Sequence, residues 1–245
     1  MNMSVGRCFS AIALLLSSAA HAQTPAPQAP LDLKAFSARY QVQWRGINVG
    51  TSDLELKAAN SSAEFEYISR SNARGIFRLV AGDEITQTSR FVVHAGHVQP
   101  LVFRGDDGSA STEKDVSLDF DWNKARVKGT SEDKPVDLPL KPDTQDPMSV
   151  QIALMLALQT KQVPKVVWLA DKDEIKEYNY TDEGSHRLKT ALGDLDTIVL
   201  ASQRPGSSRI MRLWFAPSLG FVPVQAQRTR DGKVEFTMTI KTLKR

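Results

Sequence analysis

Three features of the sequence predict a mainly β protein: period-two alternation of apolar and polar residues, turn signals at roughly ten-residue spacing, and a single stretch of helical pattern. The fold class they predict is an antiparallel curved sheet, arranged as an open barrel or a sandwich, with one substantial helix packed against it.

The first 22 residues predict a cleavable secretory signal. Arg7 is the only charged residue among them and precedes an apolar run, Cys8 to Ala20. The run ends at Ala20-His21-Ala22, a small-x-small site for a signal peptidase. At about 13 residues it is shorter than the ~20 a helix needs to cross a bilayer. The sequence therefore predicts cleavage near Ala22 and a periplasmic mature chain with no transmembrane segment. Cys8 precedes the apolar run, whereas a lipidated cysteine would have to follow it, and cleavage removes this only cysteine. Without a disulfide the mature chain relies on burial, which chains of about 220 residues can supply by covering roughly 70% of their unfolded surface.

Once Arg7 is removed, 30 basic residues face 28 acidic ones, spread along the whole chain. That balance excludes the strongly basic surface of a nucleic-acid-binding protein. The densest basic stretch, Lys241 to Arg245, reads as a solvated tail.

Residues 23–30 hold three prolines among alanines and polar residues, too little apolar surface to fold, and predict a flexible linker. Residues 31–245 then read as a single antiparallel β-rich domain, because no proline-rich or charged stretch divides them. Phe36, Ala38, Tyr40, Val42 and Trp44 alternate with polar residues and predict the first strand. Gly46 to Gly50 predicts the connection, since Gly46 and Gly50 permit backbone angles a tight turn needs. Ser52 to Ala58 predicts the second strand.

Further strands are expected around Phe65 and Tyr67, at Ile85 to Val93, Val98 to Phe103 and Val116 to Trp122. Asp146-Pro147 then offers a capping side chain followed by proline at the first helical position, and Met148 to Thr160 predicts the helix. Its apolar residues cover more than one stripe, so it should be largely buried. Strands resume at Val166 to Ala170 and Ile175 to Tyr180, followed by a turn at Glu183-Gly184. The last strands are Leu195 to Ala201, Ile210 to Phe215, Phe221 to Gln227 and Val234 to Leu243, with Asp231-Gly232 a two-residue hairpin turn. Pro223 cannot donate to a ladder, so it predicts an edge strand or a bulge.

No catalytic or metal-ligating constellation stands out, and the sequence predicts no cofactor, no metal and no enzyme. His94 and His97 bracket a turn but lack the third ligand a zinc site needs. Ser111 to Lys114 and Ser131 to Lys134 match Ser-x-x-Lys without the helix that spacing requires. Asp119 and Asp121 share one side of a strand, as the carboxylates of an exported hydrolase would, yet Asp115 and Ser117 continue that side as an ordinary wet face. Arg204, Arg209, Arg212, Arg228 and Arg230 cluster around two hairpins and form a candidate cationic rim for an anionic headgroup or glycan, although Arg209 and Arg212 have opposite parity. Tyr40, Trp44, Trp122, Trp168 and Trp214 are candidates for lining an apolar cavity. The ligand-binding candidates are therefore Tyr40, Trp44, Trp122, Trp214, Arg209 and Arg228, with Gly46, Gly50, Asp146 and Pro223 as structural positions.

Four motifs in order carry a family resemblance: Tyr-x-Val-x-Trp-x-Gly-x-x-x-Gly from Tyr40 to Gly50, Gln99 to Phe103, Gln145-Asp146-Pro147-Met148-Ser149, and Leu213-Trp214-Phe215-Ala216 leading to Val222-Pro223-Val224. In these the chain resembles the exported bacterial domain-of-unknown-function family 3108. The resemblance implies an envelope protein and transfers no catalytic residue. Where that family often has an acidic residue before the final Pro-Val strand, this chain has Ser218. The expected role is a soluble periplasmic protein binding a lipid or other amphipathic envelope molecule on its curved sheet. The alternatives are an accessory subunit holding an envelope protein and the hydrolase acting through Asp119 and Asp121.

Overall fold

A computed structural model describes residues 33–59, 64–75 and 84–245, and in it fourteen strands form one antiparallel sheet around one α-helix. The signal peptide and linker expected over residues 1–30 lie outside the described residues. Before the helix come β1 (Phe36–Trp44), β2 (Ile47–Ala58), β3 (Glu64–Ala73), β4 (Glu84–His94), β5 (His97–Asp106), β6 (Val116–Asp121), β7 (Arg126–Ser131) and β8 (Lys134–Pro139). The helix α1 (Ser149–Gln159) is followed by β9 (Val166–Asp171), β10 (Glu174–Thr190), β11 (Gly193–Gln203), β12 (Arg209–Ala216), β13 (Val222–Arg230) and β14 (Lys233–Lys244).

Short turns dictate the topology. Arg45-Gly46, Ala95-Gly96 and Asp231-Gly232 each place two successive residues at positive φ, the backbone that matches the twist of hairpin strands. Each strand therefore folds back on its predecessor, giving one meander from β1 to β8 and another from β9 to β14, and the two join where β1 pairs with β14. The edges of the sheet are β8 and β9, consecutive in the chain and connected by the segment that carries α1. The sheet curls without closing into a barrel. Gln145 spans part of the opening: its backbone pairs with β9, Gln145 N donating to Trp168 O and Ala170 N to Gln145 O at 2.8 Å each, while its side-chain Nε2 donates to Val98 O of β5 at 2.9 Å.

The helix lies inside the curve, touching β4 and β5 of one meander and β13 of the other. Ile152, Leu154, Met155, Leu156 and Leu158 are all buried, and each such side chain contributes ~1.5–3 kcal/mol when removed from water. Against them pack Tyr40, Leu56, Tyr67, Phe91, Phe215 and Ile240, inward-facing residues of the sheet.

Several local expectations need correction. The turn predicted from Gly46 to Gly50 is only Arg45-Gly46, and Gly50 lies within β2. Its requirement is steric, because a Cβ there would stand 2.1 Å from the Asn72 carbonyl oxygen of β3. Glu183-Gly184 is not a turn but a bulge in the 17-residue β10, where Asp182 pairs with Leu200 and Gly184 with Val199. Strands β7 and β8 were not expected; glycine and proline weaken their pattern, and they hold on through Val127 and Val136, both buried. Pro223 sits at the β12–β13 bulge, where Trp214 pairs with Gln225 and Phe215 with Pro223.

Candidate functional site

The N-terminus of α1 is held by a carboxylate. Asp146 Oδ1 accepts Met148 N at 2.7 Å and Ser149 N at 2.8 Å, Ser149 Oγ accepts Asp146 N at 2.9 Å, and Ser89 Oγ of β4 donates to Asp146 Oδ2 at 2.5 Å. These bonds satisfy amides that begin a helix without an intrahelical partner. Asp146 is wholly buried; burial raises its pKa to about 6, and the hydrogen bonds from Ser89, Ser149 and Met148 oppose the rise.

Beside this end of α1 the concave face opens into a cavity of about 610 Å³. Strand register sets its lining out in rows. Leu213, Ala226 and Met238 are cross-strand neighbours on β12, β13 and β14 and form an apolar row. One step toward the β11–β12 turn, Tyr180, Ser202, Met211 and Arg228 follow one another across β10 to β13. At the turn itself stand Arg204 and Arg209, with Lys176 farther along β10 in the same direction. The facing wall is polar in part, Ser71 Oγ donating to Ser52 Oγ at 2.9 Å. Burial pushes the Tyr180 hydroxyl up to about 12, so it stays neutral.

Cations dominate the mouth. Lys176, Arg204, Arg209 and Arg228 line the cavity with a single carboxylate, Asp171. Lys176 Nζ lies 2.8 Å from Asp171 Oδ2 and 3.2 Å from Glu174 Oε1. Arg228 Nε stands 3.3 Å from Glu235 Oε2, and its guanidinium 5.7 Å from the Trp44 ring. Glu235 also takes Arg230, at 3.0 Å. Arg209 pairs in the ladder with Arg230, another cation, and has no carboxylate within ion-pair distance among the described residues.

Of the six ligand-binding candidates, the structure places Arg209 and Arg228 on the cavity and Trp44 behind Arg228, next to the cavity residue Phe236. Tyr40 is fully buried and donates to Pro223 O at 2.6 Å. Trp122 donates to Pro100 O at 2.7 Å, away from the cavity, and Trp214 has the opposite parity to the lining residue Leu213. Arg212 faces away and binds Glu183 in a two-pronged pair, with Nε 2.8 Å from Oε2 and Nη2 3.0 Å from Oε1. Lys176, Tyr178 and Tyr180 were missed in the sequence, although their spacing of two already put them on one side of a strand.

The other clusters are occupied locally. Asp119 pairs with Arg104 at 2.9 Å, and Asp121 accepts Lys124 N at 2.9 Å, a bond that lowers its pKa. Ser131 and Lys134 close the β7–β8 turn as paired residues, and Ser111 and Lys114 lie in the β5–β6 loop, so neither pair is on a helix. His97 Nδ1 is 3.1 Å from Asp143 Oδ1, beside a smaller cavity of about 360 Å³ along Ala153, Leu154 and Ala157 of α1. Asp106 at the end of β5 gathers with Asp107 and Asp115 of the β5–β6 loop, where they accept the backbone amides of Gly108, Ser109 and Asp107 respectively.

The family described as Protein of unknown function (DUF3108) matches residues 39–240, most of the chain. The chain belongs to that family. Among solved structures, this DUF3108 chain is similar to a β-barrel-like protein of the domain of unknown function DUF1849 from Brucella abortus, at 11% identity and a TM-score of 0.53, covering 87% of this chain and 98% of that one. It is also similar to a candidate exported protein with a YmcC-like fold from Bacteroides fragilis, at 10% identity and a TM-score of 0.38, covering 87% of this chain and 97% of that one. The first likeness supports the fold alone. No curated protein matches the DUF3108 chain. Among its described residues no helix is long and apolar enough to cross a membrane.

Proposed function

We propose that this DUF3108 chain is an exported periplasmic protein that holds an apolar or amphipathic envelope molecule in the cavity beside α1, and that it works by binding and not by catalysis. The observation that carries this reading is the cavity itself, about 610 Å³ in volume and floored by Leu54, Met211, Leu213 and Met238. That size and a mainly apolar lining with a few convergent polar groups are what small-molecule sites share. Supporting export are Arg7, the apolar run that follows it and the Ala20-His21-Ala22 site.

The test is native mass spectrometry of the protein purified from the periplasm, followed by solvent extraction. One lipid-sized adduct per chain is the expected result. A chain that carries no adduct, yields no extractable amphiphile and takes up no N-phenylnaphthylamine as a fluorescent apolar probe overturns the reading.

A further inference from the structure

The charged residues of the cavity gather toward one end, while Ser52, Ser69, Ser71, Gln87 and Gln151 make the facing wall polar but uncharged. Leu213, Ala226 and Met238 lie beside the helix, Tyr180, Ser202 and Met211 come next, and Lys176, Arg204 and Arg209 stand at the β11–β12 turn. An amphiphile lying along this gradient puts its tail against the helix end and its head among the cations.

The charges at that end do not cancel. Asp171 and Glu174 answer Lys176, and Glu235 is shared between Arg228 and Arg230. Glu235 is almost wholly buried, and its Oε2 forms no hydrogen bond of good geometry with either guanidinium. Arg204 reaches Glu174 only at 4.0 Å. Arg209 faces Arg230 across the ladder without a carboxylate of its own among the described residues, and like charges directly opposite each other on neighbouring strands repel. An anion between Arg204 and Arg209 relieves that repulsion, and guanidinium forks bind phosphate and carboxylate through paired, charge-assisted hydrogen bonds. Asp171, the one carboxylate on the cavity, is committed to Lys176, so a cationic head meets no unpaired carboxylate there.

We propose that the ligand class of this cavity is an acyl-chain amphiphile with an anionic head, seated at Arg204 and Arg209 with Lys176 and Arg228 flanking it and the tail running toward α1. This rests on the reading of the cavity as a binding site. The methionines Met211 and Met238 suit a tail, since an unbranched thioether chain adapts to variable apolar shapes.

The experiment compares three probes on the full mature chain by isothermal titration: lysophosphatidylglycerol, the monoacylglycerol with the same acyl chain, and inorganic phosphate. The anionic lysolipid is expected to bind at least about tenfold more tightly than the neutral monoacylglycerol. In Arg204→Gln/Arg209→Gln the preference for the lysolipid over the monoacylglycerol should fall to within about twofold, and a preference that stays about tenfold overturns the assignment. Both positions are exposed near a hairpin turn, and circular dichroism confirms that the variant is folded. Equal affinity for the two lipids overturns the headgroup assignment and leaves the cavity reading standing. Phosphate binding as tight as the lysolipid also overturns it, since the tail then plays no part. Binding of none of the probes overturns the cavity reading as well.

Discussion

Ser89 Oγ donates a 2.5 Å hydrogen bond to Asp146 Oδ2, tying β4 to the first turn of α1 inside the core. The bond joins the first meander to the segment that spans the sheet's two edges, so the capping carboxylate also fixes where the helix sits in the curve.

A pH dependence follows from that site. Burial raises the folded-state pKa of Asp146 from 3.8 to about 6. A raised carboxylate pKa means that the folded state binds the proton more tightly, so this contribution is fully present below about pH 4 and is lost as pH rises to about 6. The loss is on the order of 3 kcal/mol. Urea unfolding of the native chain and of Asp146→Asn at pH 4, 5, 6 and 7 is expected to show that the asparagine removes this slope. Parallel pH profiles for the two proteins count against it.

Asp146→Ala should be worse than Asp146→Asn at every pH. Alanine leaves Met148 N and Ser149 N without their acceptor and Ser89 Oγ without its partner, and each buried orphan costs about 1–3 kcal/mol. Denaturant midpoints at unchanged m-value measure it.

Gly50→Ala and Gly46→Ala separate two uses of glycine. At Gly50 the new Cβ would lie 2.1 Å from the Asn72 carbonyl oxygen, a backbone clash expected to cost at least about 2 kcal/mol. At Gly46 there is open space and a φ of +81°, so the cost is the left-handed strain of about 1–2 kcal/mol. The smaller loss should be at Gly46.

Tyr40→Phe keeps the ring and removes the donor that reaches Pro223 O at 2.6 Å from a fully buried position. The expected destabilisation is about 1–3 kcal/mol, read as a lower thermal midpoint with native circular dichroism.

Met211→Trp fills the cavity from its middle row. The folded state should keep its stability to within about 1 kcal/mol, while uptake of N-phenylnaphthylamine falls at least about tenfold. Unchanged uptake would place the probe elsewhere.

The parts legible in the sequence are those whose causes are local. The alternation of Phe36, Ala38 and Tyr40 and the Asp231-Gly232 turn act within a few residues and have their expected roles, whereas α1 begins at Ser149 and not at Pro147, with Asp146 bonding the amides of Met148 and Ser149 at its start. Strand β10 was harder because a bulge at Glu183-Gly184 carries the same residues as a turn, and only pairing with Leu200 and Val199 distinguishes them. Strands β7 and β8 carry Gly129, Pro135 and Pro139, which weaken the local signal, and partners in the sheet decide them.

The cavity shows the same division. Arg204, Arg209 and Arg228 belong to a cationic group visible along the chain, but Lys176 joins their end only because β10 pairs with β11 in one register. Trp122 and Trp214 look equally suited to an apolar site, and curvature and parity turn them elsewhere. By itself the sequence determined a meandering antiparallel sheet, one capped and buried helix, and the residue types available to a binding site, because turn chemistry, capping and alternation are short-range. Only the tertiary structure decided that β1 closes on β14, that α1 occupies the curve, and that one end of the hollow is cationic, because strand partners far apart in the chain set curvature and register.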